Sequence, residues 1–213
     1  CIEISNNKKW AIKLESKECK KSNLEREIEF IIEIQGHDCF PIYRDHGETE
    51  QFRFLVMELL GPSLLQARRI SPGSIFSSST ALRMGIEMLK GIETLHSLGY
   101  LHRDIKPGNF LVKPSRKNPL ILIDYGLSRR YLDENGDPIE PREKPGFVGT
   151  VPYASLNAHN GLELGRCDDL FSWFAVLLKI HAGELPWPSA NDKPAVFAAK
   201  KDADLASFCV GLP

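Results

Sequence analysis

The sequence predicts an α+β fold in which a short strand-rich stretch carrying one helix precedes a longer, mainly helical stretch. Three observations lead there. Apolar and polar residues alternate around Trp10, Ile12 and Leu14 and again within 43–46 and 52–57, the period of strands. Leu24, Ile28, Ile31 and Ile32 recur at helical spacing within 22–35. Beyond residue 80 the pattern is helical, first in Leu82, Ile86, Leu89, Ile92 and Leu95 and then in the nearly wholly apolar stretch 168–181.

Taken in order, Ile2 and Ile4 alternate with polar neighbours and Ser5-Asn6-Asn7-Lys8 is turn chemistry, so the chain opens as a β-hairpin. With Trp10, Ile12 and Leu14 turned to the core of a small lobe, Ala11 and Lys13 face the other side. Glu27 rides the helix 22–35, which Gly36 stops. Two short strands lead to the connector Glu58-Leu59-Leu60-Gly61-Pro62, where the lobe boundary is expected: residues 1–60 on one side, 61–213 on the other. A Ser/Pro/Gly stretch at 71–79 precedes a long amphipathic helix ending near Gly99. Leu120-Ile121-Leu122-Ile123 reads as a buried strand delivering Asp124, and 133–145, rich in Asp, Glu, Gly and Pro, as a loop. The stretch 168–181 is too short to cross a bilayer and reads as a fully buried central helix.

At 213 residues the chain can bury a substantial core, as one domain of two lobes or as two small domains. Charged residues at 26% and hydrophobic ones at 42% suit a soluble globular protein. A net charge of −1 provides no global field for nucleic acid or an anionic membrane, and neither is expected as a partner. Five scattered cysteines without a Cys-x-x-Cys pair suggest neither a disulfide framework nor a zinc site, and point to an intracellular address in cytoplasm or nucleus. His37, His46, His159 and His181 form no metal-ligand spacing. Opening on Cys1 rather than Met and closing on Gly211-Leu212-Pro213, the chain reads as cut at both ends.

Chemistry is concentrated in His102-Arg103-Asp104-Ile105-Lys106-Pro107-Gly108-Asn109, followed by Asp124-Tyr125-Gly126. Phosphoryl transfer runs through a loose transition state, so a protein mainly places the nucleophile in line and neutralises charge on the phosphate oxygens. Asp104 can accept a hydrogen bond from an incoming hydroxyl, Lys106 can reach the transferred phosphate, and Asn109 and Asp124 offer oxygen ligands suited to Mg2+. Lys13 would touch the inner phosphates of ATP, and Glu27 would hold it in place. Around the adenine we expect Ala11 above and Leu111 below, Met57 at the back, and the backbone of Glu58 and Leu60 on the base edge. Thr150 is expected to bond Asp104 and Lys106. Singly, a strand lysine or a helix glutamate is an ordinary solvated charge. The eight-residue loop with its downstream strand and Asp-aromatic-Gly is far more specific. His102 reads as a packed imidazole under Tyr125 rather than a catalyst. Arg129, Arg130, Arg142 and Lys144 form a solvated face or, with Arg103, a phosphate-binding cluster.

These residues resemble the eukaryotic protein kinase family, and Lys106 in Asp-x-Lys-x-x-Asn is similar to its serine/threonine branch. Glu58-Leu59-Leu60-Gly61-Pro62-Ser63-Leu64 and the run from Gly149-Thr150-Val151-Pro152-Tyr153 to Ser155-Leu156-Asn157-Ala158-His159 are similar to the casein kinase I superfamily. Gly146-Phe147-Val148 and Gly165-Arg166-Cys167-Asp168-Asp169-Leu170 lean toward its tau-tubulin kinase-like branch. The resemblance runs from Cys1 to about Trp187 and implies a bilobal kinase fold, truncated at both ends. It also implies a monomeric serine/threonine protein kinase that moves the γ-phosphate of ATP, with Mg2+, to hydroxyls of protein substrates. The alternative is a catalytically inactive pseudokinase or a truncated ATP- or partner-binding module. Four departures stand out. The Gly-rich phosphate-covering loop is absent, with Ile2 left as the adenine's roof. Pro152 replaces a commonly found anion-binding arginine, Tyr125 replaces phenylalanine, and the closing helices of the large lobe are missing.

Overall fold

The computed structural model describes residues 1–19, 22–188 and 192–204; Cys209 and the terminal Gly211-Leu212-Pro213 lie outside the described residues. Strands β1 (Trp10–Ser16), β2 (Tyr43–Glu48) and β3 (Phe52–Glu58) form an antiparallel sheet in the order β1-β3-β2. Helix α1 (Leu24–Glu33) covers one face, where the fully buried Leu55 meets Leu24, Ile28 and Ile31. The register pairs Lys13 with Leu55 and Ala11 with Met57, so all four project from the face that α1 covers. Lys13 is thereby delivered beside Glu27.

That register corrects one expectation. Ile12 and Leu14 do not face the core; they are 43% and 57% exposed, because the sheet has one covering helix and it lies on the opposite face. Trp10 is buried by other means: the Lys8 ammonium sits 4.2 Å from its ring centroid and its Nε1 donates to Glu3 at 2.9 Å. Ile32 likewise points outward from α1. The opening hairpin is a turn closed by a single bridge between Ile2 and Lys9, with Ile4 almost fully exposed.

Helix α2 (Leu64–Ile70), which sequence patterning did not reveal, starts in a reciprocal cap: Ser63 Oγ accepts from the Gln66 N–H and Gln66 Oε1 accepts from the Ser63 N–H. Helix α3 (Ser78–Ser97), capped by Ser77, is the long helix expected after the Ser-rich stretch. Two small antiparallel pairs follow, β4 (Tyr100–Leu101) with β7 (Arg129–Arg130) and, between them in the chain, β5 (Phe110–Val112) with β6 (Leu120–Leu122). Residues 133–145 are irregular, as expected, with Asp133 Oδ1 accepting the N–H groups of Asn135 and Asp137. Short α4 (Leu156–His159), long α5 (Arg166–Ala182) and α6 (Lys193–Asp202) complete the described chain.

Met88, Ile92 and Leu95 of α3 share one core with Val176 and Ile180 of α5 and with Leu120 and Leu122 of β6. Burying these side chains is the main term that holds the helical part together. Helix α5 is central but not buried all round: Ser172, Ala175, Val176, Leu178 and Ile180 form its inner side, while Leu170 opens into a groove beside α3. Among the described residues no helix is long and apolar enough to cross a membrane, and no disulfide links Cys1, Cys19, Cys39 and Cys167.

Candidate active site

The loop 102–109 hangs from a carboxylate 66 residues further on. Asp169, at the first turn of α5 and 1% exposed, accepts the Arg103 N–H on Oδ1 at 2.8 Å and the His102 N–H on Oδ2 at 2.9 Å. His96 Nε2 lies 2.9 Å from the same Oδ2. These bonds hold Arg103 at φ 67°, a conformation that a non-glycine residue adopts only when its surroundings enforce it. Sequence reasoning did not single out Asp169. The signal was Asp168-Asp169 opening an apolar helix, since two carboxylates at a buried helix start require partners. Asp168 finds its own in the Gly165 N–H at 2.7 Å and Asn157 Nδ2 at 3.0 Å.

His102 is fully buried, lies edge-on to Tyr125 at 5.7 Å and is 3.1 Å from the Ile123 carbonyl through Nε2. Burial pushes its pKa down, so it is a neutral packed imidazole, as the sequence suggested. Tyr125 stacks on Phe30 of α1 at 4.6 Å and its hydroxyl donates to the Leu122 carbonyl. The extra hydroxyl in place of phenylalanine has found an acceptor.

Asp104 is the hub. Its Oδ1 accepts from Thr150 Oγ1 at 2.6 Å and its Oδ2 from Lys106 Nζ at 2.5 Å; Lys106 also lies 3.4 Å from Thr150 Oγ1. Asn109 Nδ2 donates to the Asp104 carbonyl at 2.9 Å. Thr150 can come this close because Gly149 precedes it. At φ 107° a β-carbon there would stand 2.8 Å from the Arg103 carbonyl oxygen, inside contact distance.

Across the cleft, Lys13 Nζ meets Glu27 Oε2 at 2.5 Å and Asp124 Oδ1 at 3.0 Å. Burial opposes the charge on Lys13, but the two carboxylates outweigh it and hold its pKa above the ordinary lysine value. Burial likewise works against ionised Asp124, yet the Lys13 ammonium holds its carboxyl below the usual range. For Glu27 burial prevails and lifts the pKa in spite of Lys13. The downward shift of Asp124 and the upward one of Lys13 describe an ion pair between these two groups at neutral pH. Asp124 itself sits at φ 68° beyond β6, a second enforced left-handed residue. Lys13, Glu27, Asp104 and Asp124 together line one cleft of about 320 Å3.

The donor set fits a magnesium nucleotide. Asn109 spends its Nδ2 on the Asp104 carbonyl, which leaves Oδ1 as its remaining polar atom, and Asp124 has Oδ2 beyond the oxygen that meets Lys13. Two oxygen donors beside a lysine suit a hard cation that completes its shell with phosphate and water. Among the described residues no three His, Cys, Asp or Glu side chains gather as a self-contained metal site. On the base side, Ala11 is paired with Met57, Leu111 bridges to Ser63, and the Glu58 N–H donates to the Ile42 carbonyl at 2.8 Å. Ala11, Met57, Leu60 and Leu111 are half-buried, whereas Ile2 is 58% exposed on the opening turn.

Of the arginines named as a solvated face or a phosphate-binding cluster, Arg103, Arg129 and Arg142 converge on one carboxylate, Glu163. Arg142 donates through Nε to Glu163 Oε2 at 2.5 Å and through Nη2 to Oε1 at 2.9 Å, with Arg129 and Arg103 at 3.9 Å and 4.0 Å from Oε1. Bonding to Arg142 holds the Glu163 carboxyl down to about 2, and burial with the neighbouring Arg142 pulls Arg103 down to about 10. Arg130 is not in this cluster; it joins Glu33 and the Tyr100 hydroxyl.

A sheet with one helix set against a helical body, and a cleft on which Lys13 and the carboxylates of Glu27, Asp104 and Asp124 converge, fit a phosphotransferase class of fold. The family model described as Protein kinase domain matches residues 1–208. A probable serine/threonine-protein kinase of Dictyostelium discoideum is 38% identical over 212 residues, covering 99% of this chain. The chain belongs to the protein kinase domain family. It spans 43% of the length of that relative.

Proposed function

We propose that the protein is a serine/threonine protein kinase that transfers the γ-phosphate of ATP, with Mg2+, to hydroxyl groups of protein substrates. The observation that carries this is Asp104, a carboxylate fixed by Thr150 and Lys106 on the wall that faces Lys13 and Asp124. Bound Mg-ATP supplies the transferable phosphoryl group. Asp104 accepts the hydrogen bond of the incoming hydroxyl and aligns its oxygen, a positioning and general-base role. Lys106 gives positive charge where charge develops on the transferred group, Lys13 holds the phosphates with Glu27 behind it, and Asn109 and Asp124 hold the cation. Ile2, Ala11, Met57, Leu60 and Leu111 with the Glu58 backbone take the base.

Within the family we place the chain in the casein kinase I superfamily, nearest the tau-tubulin kinase-like branch, on the motifs at 58–64, 146–159 and 165–170. With Pro152 where those relatives carry an arginine, recognition of a pre-phosphorylated substrate through that position is not carried over. The lobe division is placed at the connector 58–62, residues 1–60 and 61–213 together making one kinase domain, and the protein is taken to act as an intracellular monomer. Labelled γ-phosphate transfer to a generic protein substrate tests the assignment. Asp104→Ala should lower kcat by about 10²–10⁴-fold while Mg-ATP still raises the melting temperature. Equal incorporation by both proteins would remove Asp104 from the mechanism, and nucleotide binding without turnover in the wild type would make the chain a pseudokinase.

A further inference from the structure

We propose that Arg116 is a positioning residue for nucleotide binding: it staples Glu58, and with it the connector on which the base lies, to the helical part of the protein. The proposal rests on the reading of the cleft given above. Arg116 sits in the turn between β5 and β6. Its Nη2 pairs with Glu58 Oε2, and its Nη1 donates to the carbonyls of Asp38 and Phe40, each at 3.2 Å. Both side chains are largely withdrawn from water, at 14% and 11% exposure. Lys113, from the same turn, lies 3.5 Å from Glu58 Oε1, and the Ile42 N–H donates to Oε2 at 3.3 Å.

One guanidinium therefore grips three points of the sheet-rich part: the end of β3 and two residues in the loop that follows α1. Backbone bonds fix the surroundings on both sides. Gly61 N–H donates to the Val112 carbonyl, Val112 N–H to the Pro62 carbonyl and Leu122 N–H to the Cys39 carbonyl, all at 2.9 Å. Arg116 spans the interval between these ties, at the residue whose main chain is assigned to the adenine edge. A planar fork of donors can serve one carboxylate and two carbonyls together; a lysine ammonium on a single flexible stem cannot match that geometry. Without the guanidinium, the Glu58 carboxylate keeps one cation 3.5 Å away and gains by turning to water, which pulls the end of β3 from its place.

The test titrates purified wild type, Arg116→Ala, Arg116→Lys and Glu58→Gln with adenosine and with Mg-ATP by calorimetry, alongside kcat at saturating ATP. Arg116→Ala should weaken both ligands about tenfold, because the loss is on the base side, with Arg116→Lys and Glu58→Gln between. At saturation kcat of the two Arg116 variants should stay within about twofold, a split that a purely structural loss would not give. Unchanged adenosine affinity in the variants, or a fall in kcat with unchanged affinities, overturns the proposal. If Arg116→Ala does not fold, Arg116→Lys carries the same comparison and Glu58→Gln its affinity half. Wild type that binds neither ligand overturns the reading of the cleft and this proposal together; wild-type binding that the variants leave intact overturns this proposal alone.

Discussion

Replacing Asp169 with asparagine preserves shape but removes one acceptor oxygen and the charge. In the native protein Oδ1 serves Arg103 N–H at 2.8 Å, while Oδ2 serves His102 N–H and faces His96 Nε2, both at 2.9 Å. The less costly placement keeps the amide oxygen at the doubly used position and turns the NH2 toward the Arg103 N–H. One hydrogen bond to a charged acceptor is then lost, about 1.5–3 kcal/mol, and an N–H is left facing another donor, about 1–3 kcal/mol more. The sum is about 2.5–6 kcal/mol, a large part of the stability of an ordinary domain. Urea unfolding read through the fluorescence of Trp10, Trp173 and Trp187 should show the midpoint lowered by about 1–2 M at an unchanged slope. Relaxation of Arg103 should also lower kcat, since the adjacent Asp104 loses its fixed aim. A destabilisation under about 1 kcal/mol would refute the view that the loop hangs from this carboxylate.

Two further outcomes concern pH. Glu163, held down to about 2 from an ordinary 4.5, contributes stability that is fully present above about pH 4.5 and is lost as pH falls toward 2. The Arg142 side chain is 38% exposed, so about 2 kcal/mol is expected after screening. Wild type minus Glu163→Gln, measured by denaturant at pH 7 and at pH 3, should shrink by about 1 kcal/mol, somewhat over half of that amount, because the folded carboxyl is still largely ionised at pH 3; a constant difference would rule the linkage out. Lys200 is buried, donates to the Val151 and Ala154 carbonyls at 2.8 Å and 2.5 Å, and is pushed by burial from 10.5 to about 7. Between those values the unfolded chain holds a proton that the folded one does not, so stability should rise with pH from 7 to 10. Lys200→Met should remove that slope, and equal slopes would show that Lys200 keeps its proton.

The grouping of the site side chains was the most legible part of this chain. Asp104, Lys106 and Asn109 lie within six residues of one another, and Thr150, Lys13, Glu27 and Asp124 come together with them where motif order had suggested. What stayed hidden depends on covering surfaces and long-range partners. Alternation in β1 reveals two faces but not which one a helix will cover, and so Ile12 and Leu14 were turned the wrong way. Asp169 and Arg116 act on segments 66 and 58 residues away, a separation no window of sequence encodes. Helix α2 escaped because it is seven residues long, too short for periodicity, though Ser63 and Gln66 already spelled its cap.

The lysine of β1 is shared between two acids, one on α1 and the other just beyond β6. On the proposed reading, a triphosphate arriving with its cation would not enter a field of bare charge, since Asp124 would exchange an ammonium for the metal while Lys13 exchanges a carboxylate for phosphate. Each ionic contact broken on entry is then replaced by another of the same sense, which spares the cleft part of the solvation cost of admitting so highly charged a guest.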